Sequence, residues 1–260
     1  MSLEEWLDLL IEHEVAYTGM AAVCERTDFA WYLRAPELPE YRDANRAVRL
    51  RTRGAPDAVA REIVEYYRSY NLVPVADVDP VAEAQGIGAA LRRLGLAEVS
   101  GDRLLMRYGS DVPPYPPQSG IAVETVPNET GHGEAADWIE TAVSDDIGWP
   151  DEALWRAVAS CEARYTPCRL YLGRLDTRPA GTCDLFEWAR WGRIDSVVTR
   201  PDLRKRGVAT TLIARAVTDS LTSSNSQTYL FTEPGGDAER LYRRLGFVAW
   251  HMNPFRQYRG

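Results

Sequence analysis

Residues 197–209 have the sequence Val-Val-Thr-Arg-Pro-Asp-Leu-Arg-Lys-Arg-Gly-Val-Ala. The apolar start, Val197 to Thr199, is typical of a strand, and the apolar spacing from Gly207 to about Leu221 is that of a helix. A glycine at the start of a helix lets a ligand approach the backbone, and the unpaired amides of the first turn attract anions. The stretch therefore predicts a strand, a basic loop and a helix whose N-terminus binds phosphate.

Strand and helix patterns continue on both sides of this stretch. Upstream, we predict strands at 121–126, 169–175, 181–188 and 193–199, helices at 133–147 and 151–165, and turns at 178–181 and 191–192. Downstream, we predict a strand at 229–232, a helix at 237–245 and a strand from Phe247. This order predicts an α/β (α+β) fold with a mixed, mostly antiparallel sheet flanked by helices.

Residues 111–120 have the sequence Asp-Val-Pro-Pro-Tyr-Pro-Pro-Gln-Ser-Gly, which is unsuited to a helix or an interior strand because proline cannot donate a backbone hydrogen bond. We predict a linker there, between a first domain at 1–110 and a second at 121–260. Each part is long enough to bury a core.

The two halves also resemble each other. Residues 90–96, Ala-Leu-Arg-Arg-Leu-Gly-Leu, parallel residues 241–247, Leu-Tyr-Arg-Arg-Leu-Gly-Phe, and residues 50–54 parallel residues 203–207. The glycines of the two motifs are separated by 41 positions in the first half and by 39 in the second. A diverged duplication explains this better than chance similarity between two Arg-rich helix ends.

The motif at residues 204–209 resembles the pyrophosphate-binding signature of the GNAT acetyltransferase superfamily: Arg or Gln, two residues, Gly, one residue, then Gly or Ala. Arg204, Gly207 and Ala209 match it, and residues 238–247 resemble the family's second signature. The resemblance covers residues 121–260 and implies the family's fold in two tandem copies, with acetyl-CoA as co-substrate. The cofactor-binding residues that it implies are Val197, Val198, Thr199, Arg204, Lys205, Arg206, Gly207, Val208, Ala209 and Thr210.

The resemblance also implies catalytic roles. The backbone amide of Val198 would lie near the thioester carbonyl, and Tyr242 matches the family's tyrosine near the sulfur of CoA, where a phenol can protonate the leaving thiolate. The alternative for Tyr242 is a core tyrosine of an amphipathic helix. One position departs from the family pattern, because Gly235 stands where Asn is common.

A carboxylate or a water relay must take a proton from the attacking ammonium group. Three carboxylates are candidates. Asp195 precedes Val197 by two residues and shares its face if the strand is regular, Glu187 lies on the preceding strand, and Glu233 ends the next one. The alternative for each is a solvated or ion-paired side chain, and the resemblance does not choose among them.

The first half lacks an intact phosphate loop. Arg51 and Gly54 match the motif, but Pro56 stands at the position of Ala209 and removes one amide from the loop. We therefore expect the first half to bind no CoA, and to cover the sheet of the second half and shape the acceptor pocket.

Composition limits the other functions. The formal net charge is −8, which argues against nucleic-acid binding and suits a cationic substrate such as an amine. We expect a cytoplasmic protein that does not associate with membranes, since neither a signal peptide nor a long apolar run is visible. Four cysteines and three histidines form no metal-binding pattern.

The function predicted from the sequence is that of an N-acetyltransferase acting on a primary amine of a small molecule. A non-catalytic acyl-CoA sensor remains the alternative. The sequence leaves the identity of the acceptor and the oligomeric state open.

Overall fold

The computed structural model describes residues 2–52, 54–99, 101–110, 114, 120–144 and 151–260. They form two compact units, Met1–Asp102 with Asn253–Gly260, and Arg103–Met252. The predicted linker at 111–120 lies almost wholly outside the described residues.

The elements follow in chain order. The helices are α1 Leu3–Thr18, α2 Pro56–Ser69, α3 Pro80–Ala84, α4 Ile87–Arg93, α5 Ala136–Ala142, α6 Glu152–Arg164, α7 Val208–Thr222 and α8 Asp237–Arg244. The strands are β1 Val23–Arg26, β2 Trp31–Arg34, β3 Ala47–Val48, β4 Val75–Val78, β5 Ala97–Glu98, β6 Leu104–Tyr108, β7 Ile121–Val126, β8 Cys168–Leu175, β9 Arg178–Trp188, β10 Trp191–Thr199, β11 Gln227–Thr232, β12 Phe247–Met252 and β13 Arg256–Arg259. No helix among the described residues is long and apolar enough to cross a membrane.

The second unit is built on a seven-stranded sheet with the order β12-β6-β11-β10-β9-β8-β7. Its neighbouring strands are antiparallel except β10 and β11, which are parallel. Every element predicted between residues 121 and 252 is present in the predicted order, which confirms the fold class. Helix α5 covers only 136–142 of the predicted 133–147, and residues 145–150 lie outside the described part of the chain.

The two hairpin turns of this sheet lie two residues away from their predicted positions. Asp176 and Thr177 connect β8 to β9, and Ala189 and Arg190 connect β9 to β10, all four with positive φ. Paired positive φ values are typical of the tight turns that match strand twist. The prediction placed turns at Pro179 and Gly192, but Pro179 lies within β9 next to a register irregularity, where a missing amide is tolerated.

The first unit has a six-stranded sheet with the order β1-β2-β3-β4-β13-β5. The two sheets share one arrangement: β13 lies between β4 and β5, and β6 lies between β11 and β12. Residues 104–108 fall within the predicted first domain, but their strand β6 completes the second sheet, and the last strand of the chain, β13, completes the first sheet. These memberships differ from the predicted boundaries because pairing partners are set by the sheet and not by chain order.

Helices α7 and α8 pack on one face of the second sheet. Their apolar residues share a core with β9, β10 and β12, including Cys183, Leu212 and Phe247. The approach of α7 is close: a Cβ at Gly181 of β9 would lie 2.7 Å from Cγ1 of Val208. The start of α7 is thereby fixed against the centre of the sheet.

Candidate functional site

Strands β10 and β11 separate part of the way along their length. Their last paired residues are Arg193 and Tyr229, whereas β10 continues to Thr199 and β11 to Thr232. Beyond that pair, the inner edge of each strand lacks the partner that a parallel ladder supplies. The result is a gap in the middle of the sheet whose walls carry backbone amides and carbonyls.

A bulge in β10 decides which backbone groups face this gap. Asp195 pairs with Asp184 of β9 and Val198 pairs with Thr182, so two residues of β10 stand opposite one residue of β9. Ser196, within the bulge, has a φ of 50°. One inserted residue reverses the alternation of the strand beyond it.

The carbonyl of Val198 points towards β9. A Cβ at Gly181 would lie 2.6 Å from that oxygen, and the amide of Arg200 donates to the carbonyl of Ala180 over 3.0 Å. Because a strand residue directs its N–H and C=O to the same side, Val197 and Thr199 face the gap instead. The register does not support the role predicted for the Val198 amide.

The bulge also separates Asp195 from Val197. Asp184 and Thr182 are two residues apart and share a face, so their partners Asp195 and Val198 share that face too. Val197 packs into the core beneath α7, on the opposite face. The prediction that Asp195 and Val197 share a face is therefore wrong, because it assumed a regular strand.

The basic loop lies directly after β10. A short 3₁₀ turn at Pro201–Leu203 ends in buried Leu203, and the side chains of Arg204, Lys205 and Arg206 are exposed beyond it. Lys205 and Gly207 have φ values of 59° and 85°. Alternating left-handed residues of this kind turn successive amides into one concavity that suits an anion.

Helix α7 begins at the end of this loop. Gly207 is its N-cap and has no side chain to satisfy the first amides, so those of Val208, Ala209 and Thr210 lack intrahelical acceptors. The Val208 side chain is buried in the core, which leaves only its backbone for a ligand. The helix dipole adds partial positive charge at this end.

Thr199 carries a second signal. Its hydroxyl oxygen is buried and has no hydrogen-bond partner among the described residues. Buried hydroxyls are normally paired, so an unpaired one on the wall of a gap is a place for a polar ligand. A CoA ester fits this arrangement, because its pyrophosphate would lie at the basic loop and its pantetheine arm, which contains two amides, would lie along residues 197–199.

Tyr242 is the buried side chain of α8, with Arg240 and Arg243 on the outer side of that helix paired to Asp237 and Glu239. It packs against Phe247 with ring centroids 6.0 Å apart. Burial, and then the nearby Cys183 and Asp195, hold the pKa of the phenol well above its usual value. The phenol therefore remains a proton donor at neutral and alkaline pH.

The three candidate carboxylates lie in different places. Asp195 borders the gap, accepts from the Ser196 amide over 2.9 Å and pairs with Arg193. Glu187 binds Arg169 over 3.0 Å and Asn225 over 2.6 Å at the hairpin end of β9. It is about 10 Å along β9 from Asp184, where the bulge begins, at 3.3 Å per residue. Glu233 is exposed just beyond the end of β11.

Two residues around the gap, Gly181 and Phe231, were not predicted to belong to the site. Gly181 was predicted as the end of a turn and the start of a strand, although a glycine inside a strand often marks a close backbone approach. Phe231 of β11 lies beyond the last β10–β11 pair, with the guanidinium carbons of Arg103 and Arg193 at 4.7 and 5.7 Å from its ring centroid. The sequence carried no signal for Phe231, because the point where the strands separate is a property of the sheet.

The corresponding loop of the first unit is closed by its own side chains. The Thr52 hydroxyl accepts from the amides of Gly54 and Ala55 at 3.2 and 2.8 Å, and Pro56 at the start of α2 has no amide to offer. The guanidinium of Arg51 pairs with Asp8 and Asp79 at 2.9 and 2.8 Å. In the first unit these amides and this guanidinium are therefore bonded within the unit.

Comparisons with known proteins relate part of the chain to one family and the whole chain to one fold. The sequence model of the acetyltransferase (GNAT) family matches residues 135–247. The chain is similar to a GCN5-related N-acetyltransferase from Kribbella flavida, with 16% identity over 100% of this chain and 96% of that one and a TM-score of 0.68. No curated protein sequence matches the chain significantly.

Two further structures share the fold. A tandem GNAT protein from the clavulanic acid biosynthesis pathway has 14% identity over 92% of this chain and 83% of that one, with a TM-score of 0.64. A conserved protein of unknown function from Staphylococcus epidermidis has 11% identity over 90% and 91%, also with a TM-score of 0.64. The second unit therefore belongs to the GNAT acetyltransferase superfamily, and the whole chain has a tandem GNAT-like fold.

Proposed function

We propose that this protein is an N-acetyltransferase that moves an acetyl group from acetyl-CoA to a primary amine of a small molecule, by direct attack in a ternary complex. The observation that carries the proposal is the gap between β10 and β11. It is lined by the amides of Val197 and Thr199 and runs to the open N-terminus of α7. Three exposed basic side chains, Arg204 to Arg206, directly precede that end in the chain.

Each group has one role in the donor complex. The loop and the first amides of α7 bind the pyrophosphate, and Thr199 binds the pantetheine arm through its backbone and hydroxyl. The Val197 amide donates to the thioester carbonyl, where a preorganised donor contributes about 3 to 4 kcal/mol to the transition state. The family's acyl donor supplies an activated thioester carbon.

In the transfer step, the amine nitrogen bonds to the acetyl carbon as the bond from that carbon to sulfur breaks. Asp195, directly or through water, takes the proton that the amine loses. Tyr242 protonates the departing sulfur, and its raised pKa keeps the phenol protonated for that task. Asp195 is favoured over Glu187, because Glu187 lies opposite Gly192, where β10 and β11 are still paired, whereas Asp195 lies beyond their last pair.

Calorimetric titration of acetyl-CoA into the full chain tests the proposal. We expect one binding site per chain, which disappears in Gly207→Glu because that change places bulk and negative charge in the phosphate loop. Gly54→Glu is the matched control at the corresponding loop of the first unit, where a Cβ meets nothing within 4 Å.

Thermal unfolding of each variant must accompany the titration, since both glycines have positive φ. A ligand at 100 times its Kd raises the free energy of unfolding by about 2.7 kcal/mol. Absence of binding to the folded wild-type protein would refute the proposal. Binding without turnover on any amine would favour a sensor of acyl-CoA.

A further inference from the structure

The bulge of β10 has an unfavourable backbone conformation that something must hold. Ser196 has a φ of 50°, a region that few residues other than glycine adopt. Such conformations are strained and persist only where the surrounding structure enforces them. In this protein the bulge determines whether the amides of Val197 and Thr199 face the gap, so its support bears on the transfer site.

Three buried side chains bind this bulge. The hydroxyl of Thr182 donates to the carbonyl of Ser196 over 3.0 Å, and the hydroxyl of Ser196 donates to Oε2 of Glu162 over 2.8 Å. The amide of Asp195 donates to Oδ1 of Asp184 over 3.2 Å. Each of the three contacts a different polar group of residues 195–196.

Burying these polar side chains costs free energy, which indicates that they have a specific role. Thr182 and Asp184 of β9 are fully buried, and Glu162 of α6 is 3% exposed. Oδ2 of Asp184 has no hydrogen-bond partner among the described residues. Buried polar and charged groups are expensive, and apolar residues of similar size would stabilise the interior better. All three side chains bind residues 195–196 of the bulge itself.

We propose that Thr182, Asp184 and Glu162 are positioning residues of the transfer site, which hold the β10 bulge in the register that turns its amides into the gap. This inference rests on the proposed function. It assigns the three residues no contact with substrate. It predicts that loosening the bulge harms alignment of the thioester carbonyl while the phosphate loop, eight residues further along the chain, still binds CoA.

Infrared spectroscopy of the full chain with acetyl-CoA labelled with ¹³C at the thioester carbonyl tests this alignment. A hydrogen bond from the Val197 amide lowers the carbonyl stretching frequency. We expect a downward shift in the wild-type complex, the same shift in Thr182→Ser, which keeps the hydroxyl, and its loss in Thr182→Val, which does not. CoA affinity, measured by calorimetry, should be equal in all three.

Thr141→Val is the matched control, because Thr141 is a buried threonine whose hydroxyl binds a carbonyl within α5, that of Asp137, over 2.7 Å. It should lose similar stability and keep the infrared shift. If Thr182→Val fails to fold, Glu162→Ala and Glu162→Gln form a second pair, in which only Gln keeps an acceptor for Ser196.

The outcomes distinguish failure of the proposed function from failure of the positioning role. Wild-type protein that binds no acetyl-CoA refutes the proposed function. Wild-type protein that binds it with a shifted carbonyl, together with an equal shift in Thr182→Val or Glu162→Ala, overturns the positioning role alone. Binding with no shift in the wild type also overturns it, because the bulge then directs no amide at the carbonyl.

Discussion

At the scale of single residues, Tyr242 provides the most direct test of chemistry. Its phenol is buried against Phe247, so Tyr242→Phe removes only the hydroxyl and leaves the packing. We expect a loss of turnover of about 10²-fold, typical of a missing general acid, with unchanged acetyl-CoA affinity. Steady-state kinetics with an acceptor found by screening amines, together with calorimetry, measure both. Equal turnover in the two proteins would assign Tyr242 to the core alone.

The same residue predicts a pH dependence. The raised pKa means that the folded protein keeps the phenol protonated above pH 10, where a free tyrosine ionises. The transfer rate should therefore show no alkaline loss from Tyr242 near pH 10. Because the folded pKa is above the unfolded one, the stability linked to Tyr242 is complete below about pH 10 and declines at higher pH. A rate that halves near pH 10 in wild type but not in Tyr242→Phe would contradict this.

Asp184 predicts a dependence of stability on pH at acidic to neutral pH. Burial, and then the charges of Glu162 and Asp195, raise the pKa of this carboxyl well above its usual value. Its contribution to stability is therefore complete below about pH 4 and is lost as pH rises towards the folded pKa. Asp184→Asn keeps the acceptor for the Asp195 amide without a titrating group. Urea unfolding at pH 5 and pH 8 should show a smaller loss of stability across that interval in the variant than in wild type; an equal or larger loss would exclude a neutral Asp184.

At the scale of elements, the packing of α7 against the sheet depends on Gly181. A methyl group there would lie 2.6 Å from the carbonyl oxygen of Val198, a backbone atom that cannot move without disturbing the ladder. We expect Gly181→Ala to lower the free energy of unfolding by about 1 to 3 kcal/mol through overpacking, and to weaken acetyl-CoA binding. Denaturant unfolding and calorimetry test both effects.

Gly236→Ala is the control for that change. Gly236 has a φ of −80°, and a Cβ there meets its nearest atom at 3.9 Å, so neither strain nor a clash follows. A loss of stability smaller than that of Gly181→Ala is expected, limited to the weaker N-cap that alanine gives α8. A Gly181→Ala protein as stable as this control would mean that α7 shifts to accommodate the methyl group at no cost.

The elements also show which features of the fold could be predicted from the sequence and which could not. Apolar periodicity placed β7 to β12 in the right order because each element buries one face and shows its own period. It could not place the turns at Asp176 and Ala189, since residues other than glycine supply the positive φ there. It could not place the bulge at Ser196, so Asp195 was predicted on the face of Val197, whereas it shares a face with Val198. The role of the Val198 amide was implied by the family resemblance, and the register turns the amides of Val197 and Thr199 to the gap instead.

At the scale of the whole molecule, the repeat predicted from residues 50–54 and 90–96 corresponds to two sheets with matching strand positions. The sequence did not indicate that β6 and β13 exchange places between them, because a short apolar strand carries no mark of its partner. The exchange makes the polypeptide cross between the units twice, near residue 102 and again near residue 253. Chain position alone therefore misassigns both strands.

Fragments of the chain test this exchange. Residues 103–252 contain the full second sheet, whereas residues 121–260 lack β6, whose Leu104, Leu105 and Met106 are at most 2% exposed at the centre of the β11-β6-β12 ladder. We expect the fragment 103–252 to unfold cooperatively and to bind acetyl-CoA. The fragment 121–260 should do neither, because β11 and β12 lose β6, the strand that lies between them, and the apolar residues that packed around β6 become exposed. Circular dichroism melting and calorimetry compare the two; equal folding and binding would show that β6 is dispensable and that the predicted boundary at 121 describes an autonomous domain.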